Sequence, residues 1–140
     1  MAEKKLEGAG LRGQVAGQTA LSTVGKEGKG LTYRGYAIEE LSEKASFEEV
    51  AYMLLYGNLP NQSDLSEYKE KLKKYRELPS ELKKVLELIP ASAHPMDVLR
   101  TGCSFLGNIE PEGDFSNQAD IADRLISIFP SVVCYWYRYS

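Results

Sequence analysis

Residues able to do chemistry are few in this chain and stand far apart. His94 is its only histidine. A zinc site would need further histidine, cysteine or carboxylate ligands at suitable spacing, and none is near. Cys103 follows nine residues later, but no nucleophile–base signature links the two. His94, standing before Pro95, is expected to enter a helix and bond its imidazole to nearby backbone. Cys103 and Cys134 each lie in an apolar helical pattern, and there is no CxxC pair. They are expected to be buried, reduced thiols of a cytoplasmic protein. Asp97, Asp114, Asp120 and Asp123 are scattered and form no paired acid/base constellation. Asp120 and Asp123 suit the first turn of a helix, where the dipole favours negative charge. Residue chemistry alone thus designates no catalytic residue.

Gly25, Gly28 and Gly30 are the remaining candidate. A phosphate loop requires Lys-Ser/Thr after the second spaced glycine, and here Leu31-Thr32 follows. No G-x-G-x-x-G follows a strand, which removes a dinucleotide fingerprint. The cluster is expected to join two strands, because glycine supplies the positive φ of a tight connection. Val15 to Val24 is rich in small and β-branched residues, and Leu31 to Arg34 is a second extended run. Together they predict a small β-hairpin, too little sheet to stand without helices or a partner.

The rest of the chain is helical in pattern. Ser46 and Glu49 form a capping box ahead of Phe47, Val50, Ala51, Leu54 and Leu55, with Gly57 and Pro60 as stop signals. Ser63 is expected to cap the next helix, whose seam is Leu65, Tyr68, Leu72 and Tyr75. Its other face holds Glu67, Glu70, Lys71 and Lys74, simplest as a solvated surface with Glu67–Lys71 and Glu70–Lys74 pairs. Such pairs contribute only about 0.2–0.5 kcal/mol each. Pro79-Ser80 opens a helix with Leu82, Val85, Leu86 and Ile89, closed by Pro90. His94-Pro95 opens another, with Met96, Leu99, Cys103 and Leu106 on its apolar side and Gly107 at its end. A polar loop from Asn108 to Asn117 leads to a long helix from Ala119. That helix carries Ile121, Ala122, Leu125, Phe129, Val132, Val133 and Trp136, and Pro130 is expected to kink it.

The chain of 140 residues has a single-domain length and an ordinary globular composition, 43% apolar and 26% charged. A formal net charge of -3 and a pI near 5.3 argue against a general nucleic-acid surface. No apolar run approaches the ~18 residues of a membrane span. The N-terminal stretch lacks an apolar signal core, and Glu3 and Glu7 argue against a transit peptide. Residues 1–10 read as a flexible arm. Tyr135 to Ser140 carries the last helix to the final residue without a glycine stop, so the chain is expected to be the first part of something longer.

Three stretches in the same order resemble the N-terminal part of the citrate synthase family. They are LTYRGYAIEEL from Leu31 to Leu41, FEEVAYMLLYGNLP from Phe47 to Pro60, and HPMDVLRTG from His94 to Gly102. The resemblance runs over nearly the whole chain from about Gly10. Within the family it is greatest to the branch that makes 2-methylcitrate, carried by Gly17 to Lys26, Ala93 to Gly102, and Ala119 to Leu125 leading to Tyr135-Trp136-Tyr137.

The resemblance implies a mainly α, citrate synthase-like multi-helical fold with a small N-terminal β-hairpin. Residues 11–140 would be the N-terminal part of the large domain. It implies a homodimer that condenses propanoyl-CoA, or acetyl-CoA, with oxaloacetate. The acyl-CoA is a substrate, and no separate cofactor, nucleic acid or membrane is implied. In the family a carboxylate abstracts the α-proton while two histidines serve the enolate and the oxaloacetate carbonyl. These groups, with the arginines that clamp oxaloacetate, belong to later family segments beyond Ser140. His94 matches the helix start instead, so the 140-residue chain is expected to lack synthase activity. Arg12 and Arg138 resemble positions where some members set arginine against CoA phosphates, a task suited to its planar fork of donors. The rival expectation is a non-catalytic helical module that keeps packing and dimer contacts.

Overall fold

A computed structural model describes residues 15, 17–25 and 30–140. The expected arm at 1–10, Arg12 and Gly28 lie outside the described residues. The chain divides into two compact units, Met1–Ala45 and Ser46–Ser140.

The first unit contains the expected hairpin, β1 (Ser22–Val24) and β2 (Leu31–Tyr33), paired antiparallel with Thr23 opposite Thr32. The two threonine hydroxyls share a hydrogen bond across that pair. A third short strand, β3 (Tyr36–Ala37), adds to β2, and α1 (Ile38–Lys44) follows it directly. The β2–β3 turn explains the Arg34-Gly35 dipeptide. Both residues have positive φ, 50° and 90°, as a tight two-residue hairpin of the right twist demands.

The second unit is entirely helical. Its elements are α2 (Phe47–Tyr56), α3 (Gln62–Lys74), α4 (Ser80–Glu87), α5 (Pro95–Ile109), a 3₁₀ turn (Phe115–Asn117) and α6 (Gln118–Tyr139). The capping box at Ser46 is formed: the Glu49 N–H donates to the Ser46 hydroxyl, and the Glu49 carboxylate accepts from the Ser46 N–H at 2.7 Å. Gly57 closes α2 at φ 103°. His94 is the N-cap of α5, its Nδ1 accepting from the Met96 N–H at 3.2 Å, with Pro95 in the first turn.

Several local expectations are corrected. Asn61, not Ser63, caps α3, accepting from the N–H groups of both Ser63 and Asp64; asparagine is at least as good a cap, and it stands one residue after Pro60. Gly107 does not end α5, which runs on to Ile109. On α2 the buried residues are Ala51 and Met53, while Phe47 is 67% exposed. On α5 the buried line is Val98, Gly102 and Leu106, and Met96 is exposed. That line is set by close approach rather than by side-chain bulk. A methyl placed on Gly102 would meet Val132 Cγ1 at 3.1 Å.

The main core joins α4, α5 and the second half of α6 through Leu82, Leu86, Val98, Leu106, Ile128, Val132 and Trp136. The Trp136 indole N–H donates to the Ile89 carbonyl at 3.2 Å, satisfying the one polar atom it buries. A smaller cluster joins α2 and α3 through Ala51, Tyr68 and Leu72, with Ile126 of α6 against it. α6 therefore packs on two sides. At about 100° per residue, Ile128, Val132 and Trp136 lie roughly 140–220° around the helix from Asp123.

Candidate functional site

The densest group of chemistry-bearing side chains lies where α2, α3 and the first half of α6 meet. Asp123 is wholly buried there, 0% exposed. Its Oδ1 accepts from the Tyr68 hydroxyl at 2.9 Å, and its Oδ2 accepts from Lys71 Nζ at 2.6 Å and from the Tyr56 hydroxyl. Lys71 also pairs with the exposed Asp120. Tyr52, Tyr56 and Tyr68 pack their rings together, with Tyr52 and Tyr68 edge to face at 5.3 Å.

Helical spacing produces this meeting. Tyr68 and Lys71 are three apart on α3, and Asp120 and Asp123 are three apart on α6, so each pair shares a face. The expected Glu67–Lys71 and Glu70–Lys74 pairs are replaced. Lys71 turns to α6, and Glu70 pairs with Lys73 at 2.6 Å. A buried carboxylate offers Lys71 far more than an exposed glutamate could, because screening by water is reduced there.

The electrostatics fix the protonation states. Burial, the hydrogen bond to Asp123 and that carboxylate's charge all push the Tyr68 hydroxyl well above its ordinary value. Tyr56 is raised by the same causes, with the hydrogen bond and charge of Lys71 opposing them. For Lys71, burial works toward loss of the proton. The hydrogen bonds to Asp120 and Asp123, with the latter's charge, outweigh it and hold the ammonium above the ordinary lysine range. Lys71 is thus a poor nucleophile. Asp123 is a poor general base, since both oxygens are occupied and no solvent reaches it. The cluster's chemistry is positional.

A second feature is an apolar cleft of about 560 Å³ between the end of α5 and the start of α6, with Cys103, Leu106, Ile121 and Leu125 in its wall. Arg124 borders it, paired with Glu110 and set over the Tyr75 ring at 5.8 Å. Both cysteines are free, but the expectation of burial is corrected: Cys103 is half-buried and Cys134 exposed.

Of the two arginines expected against CoA, Arg12 lies outside the described residues. Arg138 is exposed in the last turn of α6, where its charge also suits the helix dipole. Arg138 does not belong to the Lys71 cluster. Among the described residues no group of histidine, cysteine and carboxylate side chains could hold a metal ion, and no helix is long and apolar enough to cross a membrane. Sequence reasoning missed the cluster because Asp120 and Asp123 also fit a simpler role at a helix start. The available signal was an aspartate and a serine four residues apart, Asp123 and Ser127, on the side of α6 away from its apolar line.

Comparison with known proteins agrees over almost the full chain. A family model described as citrate synthase, C-terminal domain, matches residues 10–140. A 2-methylcitrate synthase of Shewanella oneidensis is 66% identical over 137 residues, covering 98% of this chain and 36% of that protein. The 2-methylcitrate synthase 2 of Corynebacterium glutamicum is 47% identical, covering 89% of this chain and 33% of its own. The crystal structure of citrate synthase from Thermotoga maritima superposes with a TM-score of 0.80 at 37% identity, covering 94% of this chain and 34% of that one. The chain spans about a third of the length of the relatives it matches.

Proposed function

The chain belongs to the citrate synthase family, and from that premise we propose that it forms the N-terminal scaffold of a 2-methylcitrate synthase. The whole enzyme would condense propanoyl-CoA with oxaloacetate, and hydrolysis of the thioester would release 2-methylcitrate and CoA. The observation that carries the choice of acyl group is the 66% identity to the Shewanella oneidensis 2-methylcitrate synthase. Citrate synthesis from acetyl-CoA is the alternative substrate reading. A comparison of kcat/KM for the two acyl-CoAs on the complete enzyme decides between them, and a preference for acetyl-CoA would overturn the proposal. A cytoplasmic homodimer is the setting we propose for that enzyme.

The condensation requires a base aimed at a weakly acidic carbon and fixed donors for the oxyanion that forms. The chain's histidine and its buried aspartate are not free for these tasks. His94 is occupied in capping α5, and Asp123 is held by Tyr56, Tyr68 and Lys71. We therefore propose that residues 1–140 alone have no synthase activity. The test is CoA release from propanoyl-CoA and oxaloacetate by the purified chain, and any turnover above the uncatalysed rate would refute it. Arg12 and Arg138 are proposed as contacts to CoA phosphates. Replacing both in the complete enzyme should raise KM for acyl-CoA with little change in kcat, and an unchanged KM would remove them from the site.

A further inference from the structure

α6 is held on its two sides by different physics. Toward α4 and α5 it presents Ile128, Val132 and Trp136, an apolar line that interlocks with Leu82, Leu86 and Val98. Toward α2 and α3 it presents Asp120, Asp123 and Ser127, with Ile126 as the apolar contact. Apolar burial is non-directional, so one such contact leaves the rotation and sliding of α3 along α6 loosely specified. Hydrogen bonds are directional, and an unmade one in a buried place is costly.

We infer that the Tyr56–Tyr68–Lys71–Asp123 cluster is a registry pin that selects the one arrangement in which α2 and α3 dock on α6. The geometry supplies the argument. Asp123 receives three donors from two helices, on both of its oxygens, and is closed to water. A shift of α6 by one residue turns Asp123 through about 100° and strands the carboxylate from all of them. Lys71 reaches Asp120 and Asp123 together, which are one helical turn apart, so a slide along the helix also breaks one of its bonds. Replacing a buried ion pair by apolar groups of similar size often leaves stability unharmed, so specificity is the return expected from keeping it.

The test uses the 140-residue chain and a matched apolar variant: Tyr56→Phe, Tyr68→Phe, Lys71→Met and Asp123→Leu together. Amide NMR spectra and hydrogen exchange are compared with the parent. The expected result is a folded variant with doubled or broadened signals confined to α3 and residues 118–127. Protection there should fall roughly tenfold or more, while α4, α5 and residues 128–139 keep theirs. One sharp set of signals with parent-like protection would overturn the inference. A second variant, Asp123→Asn, keeps the shape of the side chain but exchanges one of its two acceptor oxygens for an NH2 that can only donate, so the donors cannot all be satisfied. It should also lose protection in α3 and residues 118–127; one sharp set of signals with parent-like protection there would overturn the inference, and this holds even if the fourfold variant does not fold.

Discussion

Gly102 offers a substitution whose sign is decided by packing. An alanine there is favoured by helix propensity, because glycine in a helix interior is about 0.8–1 kcal/mol less favourable. The new methyl, however, would stand 3.1 Å from Val132 Cγ1, 3.7 Å from Val132 Cγ2 and 3.9 Å from Leu82 Cδ1. The first distance is inside ordinary van der Waals contact, and Val132 is fully buried on the facing helix. A β-branched side chain in a helix is nearly confined to one χ1 rotamer, so Val132 has little means of turning aside. The remaining response is for α5 and α6 to part by a few tenths of an ångström along a core of which both are walls. Overpacking of this kind costs about 1–3 kcal/mol. Set against the propensity gain, Gly102→Ala should destabilise by up to about 2 kcal/mol, or up to about 8 °C in Tm for a chain of this length.

A double-mutant cycle separates packing from propensity. Val132→Ala alone should cost about 2–3 kcal/mol, from lost burial and the cavity left behind. With both substitutions the methyl introduced by Gly102→Ala enters the space that Val132 vacates. The pair should then cost less than the sum of the singles by about 1–3 kcal/mol. Urea unfolding followed by far-UV circular dichroism reads all four corners. A raised midpoint for Gly102→Ala, or additivity within about 0.5 kcal/mol, would show that the close approach of α5 and α6 is not what selects glycine.

Alkaline pH should weaken the second unit. Tyr56, Tyr68 and Lys71 all have folded pKa values raised above their ordinary 10.0, 10.0 and 10.5. A raised folded value contributes stability that is complete below the unfolded pKa and is lost as pH rises past it. Tm should therefore be level from pH 8 to about 9.5 and fall from about pH 10 upward, less steeply in Tyr68→Phe; equal slopes would remove Tyr68 from the linkage. Ser46→Ala should cost about 1 kcal/mol through loss of the α2 cap. The backbone and side-chain bonds from Ser46 hold the Glu49 carboxyl below its ordinary 4.5. Its contribution is present above about pH 4.5 and fades as pH falls below, so the gap between parent and Ser46→Ala should narrow in acid. A gap that widens there would refute the capping-box assignment.

How much of this fold could be read from the chain depended on whether a signal was local. The α2 capping box, the Gly57 stop and the Pro95 helix entry each involve residues within a few positions of one another, and all are present. The faces of α2 and α5 were harder, because apolar bulk pointed to Phe47 and Met96 while tertiary contact chose Met53 and Gly102. Gly102 has no side chain to announce its burial. The third strand was hidden in two residues, Tyr36–Ala37, too short for any period.

The Lys71 cluster shows most clearly why a site can be invisible in sequence. Lys71 and Asp123 are 52 residues apart, and every member has a commonplace local explanation. The lysine fits an i,i+4 pair, the tyrosine a core seam, and the aspartates a helix's first turn. Only the two-sided packing of α6 makes those explanations incomplete, because a helix packed on α4 and α5 along one side and on α2 and α3 along another buries Asp123 completely. Two of the three resembling stretches meet at this same helix. HPMDVLRTG contributes Gly102 to its apolar side, and FEEVAYMLLYGNLP contributes Tyr56 to its polar side. Those two family motifs thus hold residues that seat α6, and a search for chemistry among them finds packing because packing is what they do.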